Sequence, residues 1–203
     1  MRFYFVISFN YCIHMFIFKK NYFLIIENTK DINLNNIKKN DKFILIYRNN
    51  NSESLNTLRH FRKLCRLKLI KFYIANNHKL AVLLRADGLY LSAKNRSFSP
   101  LNLKRLNLSL IGSAHNIKEI NLKIKQNCST ILLSKLFKVS YSPDSSFLGV
   151  VKFNIVYNIS KKIIPLGGIN LKTLNKIKNI RSDGLAVMTE IKKKPVKLIN
   201  RLF

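Results

Sequence analysis

Two segments near the carboxyl terminus carry residues suited to binding an anion. Gly167 and Gly168 directly follow an apolar run. Because glycine lacks a Cβ atom, consecutive glycines let backbone N–H groups approach an oxyanion closely. Met188 and Thr189 stand where a later apolar run gives way to a helical pattern, and a helix N-terminus offers unpaired N–H groups with a partial positive charge. These segments predict a phosphate site, although a tight turn alone would also explain the two glycines.

The segments that would position these residues are short apolar runs, each followed by a helical or polar stretch. Eight such runs recur at intervals of roughly 20 to 30 residues, covering residues 22–26, 43–47, 70–74, 88–91, 109–112, 130–133, 163–166 and 184–188. The runs are continuous rather than alternating, which is typical of strands buried on both faces of a parallel sheet.

Helical spacing of apolar residues marks the stretches between these runs. It predicts helices over residues 52–67, over 117–124, over 171–177 with Asn170 as the N-cap, and after Thr189. The pattern is weak over residues 92–107, where Pro100 interrupts it. The fourth helix is therefore expected to be short or missing.

Alternating strands and helices with right-handed crossovers leave an open doubly wound sheet or a barrel. Eight repeats in a chain of 203 residues favour the α/β fold known as the (β/α)8 or TIM barrel, in a single compact domain. No GxGxxG motif follows the first run, which disfavours a dinucleotide-binding sheet. Loops after strands seven and eight form the usual phosphate site of such barrels, and both candidate segments fall there.

Residues 1–20 are interpreted as an apolar amino-terminal extension, and residues 21–203 as the barrel. The apolar stretch is short for a membrane span, and Asn10 and His14 interrupt it. It also lacks the small-residue cleavage site of a signal peptide. We expect no membrane partner, while an anchor, a dispensable extension and a true start at Met15 stay open as alternatives.

Basic residues dominate the charge, because 37 Lys and Arg against 9 Asp and Glu give a formal net charge of +28. Such an excess first suggests nucleic-acid binding. The basic residues are spread along the chain, however, and the only longer run covers residues 192–194, so nucleic acid is a less favoured partner. Three widely separated cysteines show no zinc spacing and favour reduced thiols in a cytoplasmic protein.

Four motifs follow one another along the chain. They are Ala86-Asp87-Gly88-Leu89-Tyr90-Leu91, Gly112-Ser113-Ala114-His115, Pro165-Leu166-Gly167-Gly168-Ile169-Asn170 and Asp183-Gly184-Leu185-Ala186-Val187-Met188-Thr189-Glu190-Ile191. Their order and spacing resemble those of the thiamine phosphate synthase/TenI family, whose first motif reads Ala-Asp-Gly-Val-His-Leu. Each motif alone is weakly specific, and together they extend the resemblance over about residues 22–203.

The resemblance implies a role in thiamine biosynthesis. Synthases of this family couple a thiazole phosphate to an aminopyrimidine pyrophosphate, with magnesium on the leaving pyrophosphate. TenI-type relatives act on a thiazole phosphate. In either case Gly167, Gly168, Met188 and Thr189 would hold the phosphate of the thiazole.

The other half of the implied site departs from the family pattern. Where synthases carry Gln-x-Arg-x-Lys after strand two, only Arg48 is retained, and the two positions of the magnesium carboxylates are Asn76 and Asn95. Since magnesium prefers anionic oxygen ligands, these amides predict a protein with no metal cofactor. Fixed cations such as Arg48, Lys94 and Arg96 would be able to replace the metal, but solvated surface charges explain them equally well.

The resemblance also selects catalytic candidates, namely Lys135 and His115, together with Ser113 and Arg48. Lys135 falls where some TenI-type isomerases use a histidine. A lysine acts as a base only in its neutral form, which an apolar environment favours, and His115 is also explained as a structural histidine. Three interpretations stay open: an enzyme acting on a thiazole phosphate, a non-catalytic binder of a thiamine precursor or a partner, and a basic RNA-associated protein.

Overall fold

Eight parallel strands close into a barrel in which each strand pairs with its sequence neighbours and the last pairs with the first. The strands are β1 (Asn21–Ile26), β2 (Phe43–Tyr47), β3 (Lys71–Ala75), β4 (Gly88–Leu91), β5 (Ser109–Ala114), β6 (Thr130–Ser134), β7 (Ile163–Leu166) and β8 (Gly184–Val187). This computed structural model describes residues 21–37, 40–49, 53–99, 108–139, 144–170 and 172–188. The predicted (β/α)8 barrel is confirmed, and every predicted run contains a strand.

The strands are buried on both faces, which is why their sequences are continuous apolar runs. Outward-facing strand residues such as Leu24, Leu45 and Leu133 belong to the core beneath the helices. Inward-facing residues form a second core inside the barrel, made of Phe23, Ile25, Ile44, Ile46, Tyr73, Tyr90, Ile111, Leu132, Ile164 and Ala186. The barrel interior is therefore filled by side chains, and a ligand site must lie at one of its ends.

Five helices are seen in the described part of the chain: α1 (Leu55–Leu67), α2 (His78–Leu83), α3 (Ile117–Lys125), α4 (Gly149–Tyr157) and α5 (Leu174–Ile177). Side chains of Ser54, Asn77 and Asn116 cap α1, α2 and α3 by accepting backbone N–H bonds. Short 3-10 turns at Thr29–Asp31, Leu34–Asn36 and Asn40–Lys42 connect β1 to β2.

The structure corrects the helix predictions in three places. The predicted helix after Asn170 begins later, at Leu174, because the Asn170 side chain accepts the N–H groups of Lys172 and Thr173 and closes a turn instead. The sequence analysis missed α2, which is short, and α4, whose apolar residues are not confined to one face. Val151 on α4 is 74% exposed, so α4 lacks the amphipathic pattern that identifies a helix.

No α-helix is seen from residue 92 to residue 99, but the rest of the stretch with the weak pattern is not described, so the expectation of a short or missing fourth helix stays a prediction. Residues 100–107 and the predicted helix after Thr189 lie outside the described residues, as does the extension at 1–20. Among the helices that are described, none has both the length and the apolar character needed to cross a membrane.

Asp87 of the first motif lies at the amino-terminal end of the barrel. Its Oδ1 accepts a hydrogen bond from Arg62 Nη2 at 2.9 Å, and its Oδ2 accepts one from the Phe72 backbone N–H at 2.6 Å. The Arg62 guanidinium also donates to the Arg85 carbonyl oxygen. Asp87 therefore joins α1 to two strands at the end opposite the candidate site, which gives this motif residue a structural role.

Candidate functional site at the carboxyl ends of the strands

The carboxyl-terminal rim of the barrel brings together the residues that the sequence analysis selected. Parallel strands in a closed barrel all end at one rim. The residues there are Arg48 after β2, Asn76 after β3, Asn95 after β4, Ser113 next to the last residue of β5, His115 after β5, Lys135 after β6, Gly167 and Gly168 after β7, and Met188 after β8. Thr189 lies outside the described residues, so its place in a phosphate site stays a prediction.

In the turn after β7, the carbonyl oxygens of Gly167 and Gly168 accept hydrogen bonds from other parts of the protein. The Gly167 oxygen accepts the Phe137 N–H at 3.1 Å, and the Gly168 oxygen accepts the Thr173 hydroxyl at 3.1 Å. Both glycines have positive φ, +93° and +69°. Among the described residues, no acceptor takes a hydrogen bond from the backbone N–H of Gly168. Such a turn can offer its N–H groups to an anion.

Packing explains why position 168 is a glycine. A Cβ atom at Gly168 would lie 2.5 Å from the carbonyl carbon and oxygen of Phe137 and 2.7 Å from the oxygen of Lys138. A Cβ at Gly167 would meet Lys135 at 3.4 Å, which is an ordinary contact. The tight-turn interpretation therefore accounts for Gly168 without a ligand, and the case for a phosphate rests on the N–H group of Gly168.

Met188 continues β8 beside this turn. Leu166 of β7 pairs with Ala186 of β8, so the residues two positions further on, Gly168 and Met188, end adjacent strands. The Met188 side chain is half-buried and packs against the core inside the barrel. The packing of this side chain therefore holds the Met188 backbone at the rim.

His115 and Lys135 are directed to protein partners. Ser134 Oγ lies 2.8 Å from His115 Nδ1, and the backbone N–H of His115 donates to Glu119 Oε2 at 2.7 Å. The Lys135 ammonium donates to the Ser145 hydroxyl, which belongs to the loop between β6 and α4. The imidazole of His115 is exposed, whereas Lys135 is half-buried. Both groups therefore stand at the β5–β6 side of the rim, next to the turn at 167–168.

Tyr90 is the largest polar side chain beneath the rim, and it is 2% exposed. Burial raises the pKa of its phenol, while the neighbouring Ser113 hydroxyl and the Arg48 charge act in the opposite direction. The phenol is therefore protonated at neutral pH. Ser113, itself 6% exposed, and Tyr90 form a neutral polar floor, and Arg48 supplies a positive charge above it.

Asn76 and Asn95 meet, as their predicted positions after neighbouring strands require. Asn95 Nδ2 donates to Asn76 Oδ1 at 3.2 Å. Two neutral amides that bond to each other do not fit Mg²⁺, which prefers several anionic or water oxygens in octahedral geometry. No cluster of three or more His, Cys, Asp or Glu side chains able to hold a metal occurs in the described part of the chain.

Comparison with known proteins identifies the family. The sequence model of the family described as thiamine monophosphate synthase matches residues 26–191. This chain belongs to that family.

Individual members of the family are distant relatives of this chain. The thiamine-phosphate synthase of Geobacillus thermodenitrificans is 22% identical over 140 residues, which cover 68% of this chain and 63% of the synthase. The matched region thus spans less than two thirds of that relative. The structure of thiamine phosphate pyrophosphorylase from Pyrococcus furiosus superposes with a TM-score of 0.71 and 16% identity, covering 91% of this chain and 96% of the other.

A second solved structure, thiamine phosphate pyrophosphorylase from Bacteroides thetaiotaomicron, gives a TM-score of 0.62 at 16% identity, covering 90% of this chain and 95% of that one. At these identities the structural likeness shows the shared barrel fold. Family membership comes from the sequence match over residues 26–191.

Sequence reasoning missed three residues at or next to the candidate site. Tyr90 stands at the histidine position of the first motif, and its place two residues after Gly88 in a strand would have put both on the same face. Ser134 ends β6 and contacts His115. Lys123 lies on α3 with its side chain fully buried, and its position three residues before Gln126 is the only signal that would have paired them.

Proposed function

We propose that this protein acts in thiamine biosynthesis on a phosphorylated thiazole, with the phosphate bound at the carboxyl ends of β7 and β8. Membership of the thiamine monophosphate synthase family supports the pathway and the ligand class. The observation that carries the position of the phosphate is the turn at Gly167 and Gly168. Its carbonyl oxygens are bonded to protein, while the Gly168 N–H has no acceptor among the described residues.

The phosphate would accept hydrogen bonds mainly from the main chain. Its charge is also favoured by the overall formal charge of +28, which raises the local concentration of anions. Because backbone donors are held rigidly, they lose little conformational freedom on binding. Met188, anchored in the interior core, keeps the end of β8 beside this turn.

The thiazole ring would lie over the centre of the rim. There Tyr90 and Ser113 offer neutral hydroxyls, and Arg48 offers a positive charge. In a synthase reaction the ring nitrogen forms a C–N bond to the pyrimidine methylene as the C–O bond to pyrophosphate breaks. In a TenI-type reaction a proton moves between positions of the thiazole, and the pair formed by His115 and Ser134 is placed to carry it.

Calorimetric titration with thiazole phosphate tests the proposal. The phosphate ester should bind at least about tenfold more tightly than the unphosphorylated thiazole alcohol, equivalent to about 1.4 kcal/mol. Equal affinities, or no binding by folded protein, would refute the phosphate site. Turnover is then measured with thiazole phosphate alone and with added aminopyrimidine pyrophosphate. Binding without turnover in both assays would identify a non-catalytic family member.

A further inference from the structure

We infer that the amide pair Asn76–Asn95 takes the place of a magnesium ion at the β3–β4 side of the rim, so that the site accepts a phosphate monoester and makes no use of a metal-bound diphosphate. The part of this inference that concerns the ligand rests on the proposed function. The part that concerns the metal depends only on the geometry of the two loops.

The orientation of both amides is fixed by backbone donors. Asn76 Oδ1 accepts the Ser92 N–H at 3.0 Å in addition to Asn95 Nδ2. Asn95 Oδ1 accepts the Ser97 N–H at 3.0 Å. Since a backbone N–H can only donate, each of these oxygens is identified as an acceptor. The hydrogen bond between the two side chains therefore runs from Asn95 to Asn76.

The backbone around Asn76 is consistent with this role. Its φ is +54°, a left-handed conformation that asparagine and aspartate tolerate better than other residues with side chains. Its backbone N–H donates to the Tyr90 carbonyl oxygen at 2.8 Å, at the end of β4. The loop after β3 is thus tied to the next strand by main chain and side chain alike.

The loop that carries Asn95 is held by a buried clamp, which consists of the side chains of Lys123 and Gln126. Lys123 Nζ donates to the Asn95 carbonyl oxygen at 2.7 Å and to Gln126 Oε1 at 2.9 Å. Gln126 Nε2 donates to the same carbonyl at 3.2 Å and to the Ser97 oxygen at 2.7 Å. Lys123 is fully buried and Gln126 is 1% exposed. The loop after β4 is therefore held by two side chains of α3.

The clamp also opposes a cation electrostatically. The Lys123 ammonium already places a buried positive charge beside the Asn95 backbone. A divalent ion on the Asn95 side chain would add two further positive charges close to it, and this repulsion is weakly screened away from bulk water. A diphosphate at this side of the rim would consequently lack a metal counter-ion.

The hydrogen bond from Asn95 to Asn76 has a defined direction, so aspartate variants can be chosen that either keep it or break it. Asn76→Asp keeps an acceptor for both Ser92 and Asn95, so the link should survive. Asn95→Asp replaces the donating Nδ2 group by a carboxylate oxygen, which cannot donate to Asn76 Oδ1. The double variant Asn76→Asp/Asn95→Asp should therefore create a two-carboxylate site, whereas Asn76→Asp/Asn77→Asp adds the same charge with the link intact. Asn77 caps α2 as an acceptor, and aspartate is an equally good N-cap.

Manganese, followed by electron paramagnetic resonance, is the probe for metal binding. Wild type and Asn76→Asp/Asn77→Asp should show no dissociation constant below about 1 mM, and Asn76→Asp/Asn95→Asp should bind at least about tenfold more tightly than either. Binding by wild type below that value, or equal binding by the two double variants, would overturn the inference. Should the variant with the broken link not fold, the wild-type titration still decides.

Inorganic pyrophosphate is the probe for the ligand class. Magnesium should change its affinity for the wild-type protein by less than about twofold, and an increase of tenfold or more would overturn the inference. Titration with thiazole phosphate in the presence of a chelator tests the proposed function separately. A protein that binds neither manganese nor thiazole phosphate would refute the proposed function and leave the metal-free link intact.

Discussion

The turn after β7 allows a direct test of why its two glycines are present. Gly168→Ala places a methyl group 2.5 Å from the backbone of Phe137 and 2.7 Å from the Lys138 oxygen. Gly167→Ala places one no closer than 3.4 Å to any atom. The φ values are +69° and +93°, so both variants impose an unfavourable backbone conformation, and only Gly168→Ala adds a steric clash.

The magnitudes follow from these two contributions. A positive φ costs an L-residue about 1–3 kcal/mol. Overpacking against atoms that cannot move away typically costs a further 1–3 kcal/mol. We therefore expect Gly167→Ala to lower the free energy of unfolding by about 1–3 kcal/mol, and Gly168→Ala by about 2–6 kcal/mol. The difference between the variants isolates the clash with the loop after β6.

Urea unfolding followed by circular dichroism measures both values, provided that the slope of the unfolding free energy against urea concentration is the same in the variants and in wild type. The paired design matters because total stability is only about 5–15 kcal/mol, and Gly168→Ala will fold poorly at the upper end of its range. Equal losses for the two variants would refute the packing explanation of Gly168. A near-neutral effect of Gly168→Ala would show that the loop after β6 does not hold the turn.

Three further predictions concern stability away from the rim centre. Asp87→Asn should lower the free energy of unfolding by about 1–3 kcal/mol through the weakened bond to Arg62, yet leave the affinity for thiazole phosphate unchanged in calorimetry; a loss of affinity would contradict its structural role. Asn170→Ala should cost about 1 kcal/mol in thermal unfolding and Asn170→Asp much less, because only the latter keeps the acceptor for the turn before α5; equal losses would argue against that turn. Burial raises the pKa of the Cys65 thiol from 9.0 to about 12, so the folded protein retains a proton that the unfolded chain loses, and stability falls as the pH rises above 9. Between about pH 8 and about pH 10, wild type should lose about 1.4 kcal/mol more than Cys65→Ala in urea titrations, and parallel pH profiles would refute this.

The sequence by itself determined the strands. Continuous apolar runs such as those of β2 and β6 place apolar side chains on both faces of a strand, which favours a parallel sheet buried on both faces, and eight such runs recur as eight parallel strands. Once the order of the strands was fixed, the rim followed, because residues placed after successive parallel strands must meet at one end. This is why Asn76 and Asn95, which are 19 positions apart, were correctly expected at the same rim.

Local side-chain competition limited the prediction of helices. Asn170 has the residue type of an N-cap, but it lies four residues before the start of α5, and its side chain closes a turn there. The α4 helix escaped prediction since its apolar residues surround the axis, and only packing decides which of them face the barrel. Phe153 is buried, while Val151, two residues away, is 74% exposed.

Contacts at the candidate site were decided by tertiary structure alone. Sequence placed Lys135 at a catalytic position, yet its ammonium bonds to Ser145, ten residues further along a loop whose path no periodicity describes. Lys123 would be assigned to a solvated helix face from its charge, but it extends under the loop after β4 to reach Asn95, 28 residues away. Hydrogen bonds depend on sub-ångström distances and on direction. Spacing along the chain specifies which rim a residue occupies, and only the folded backbone decides which partner its side chain meets.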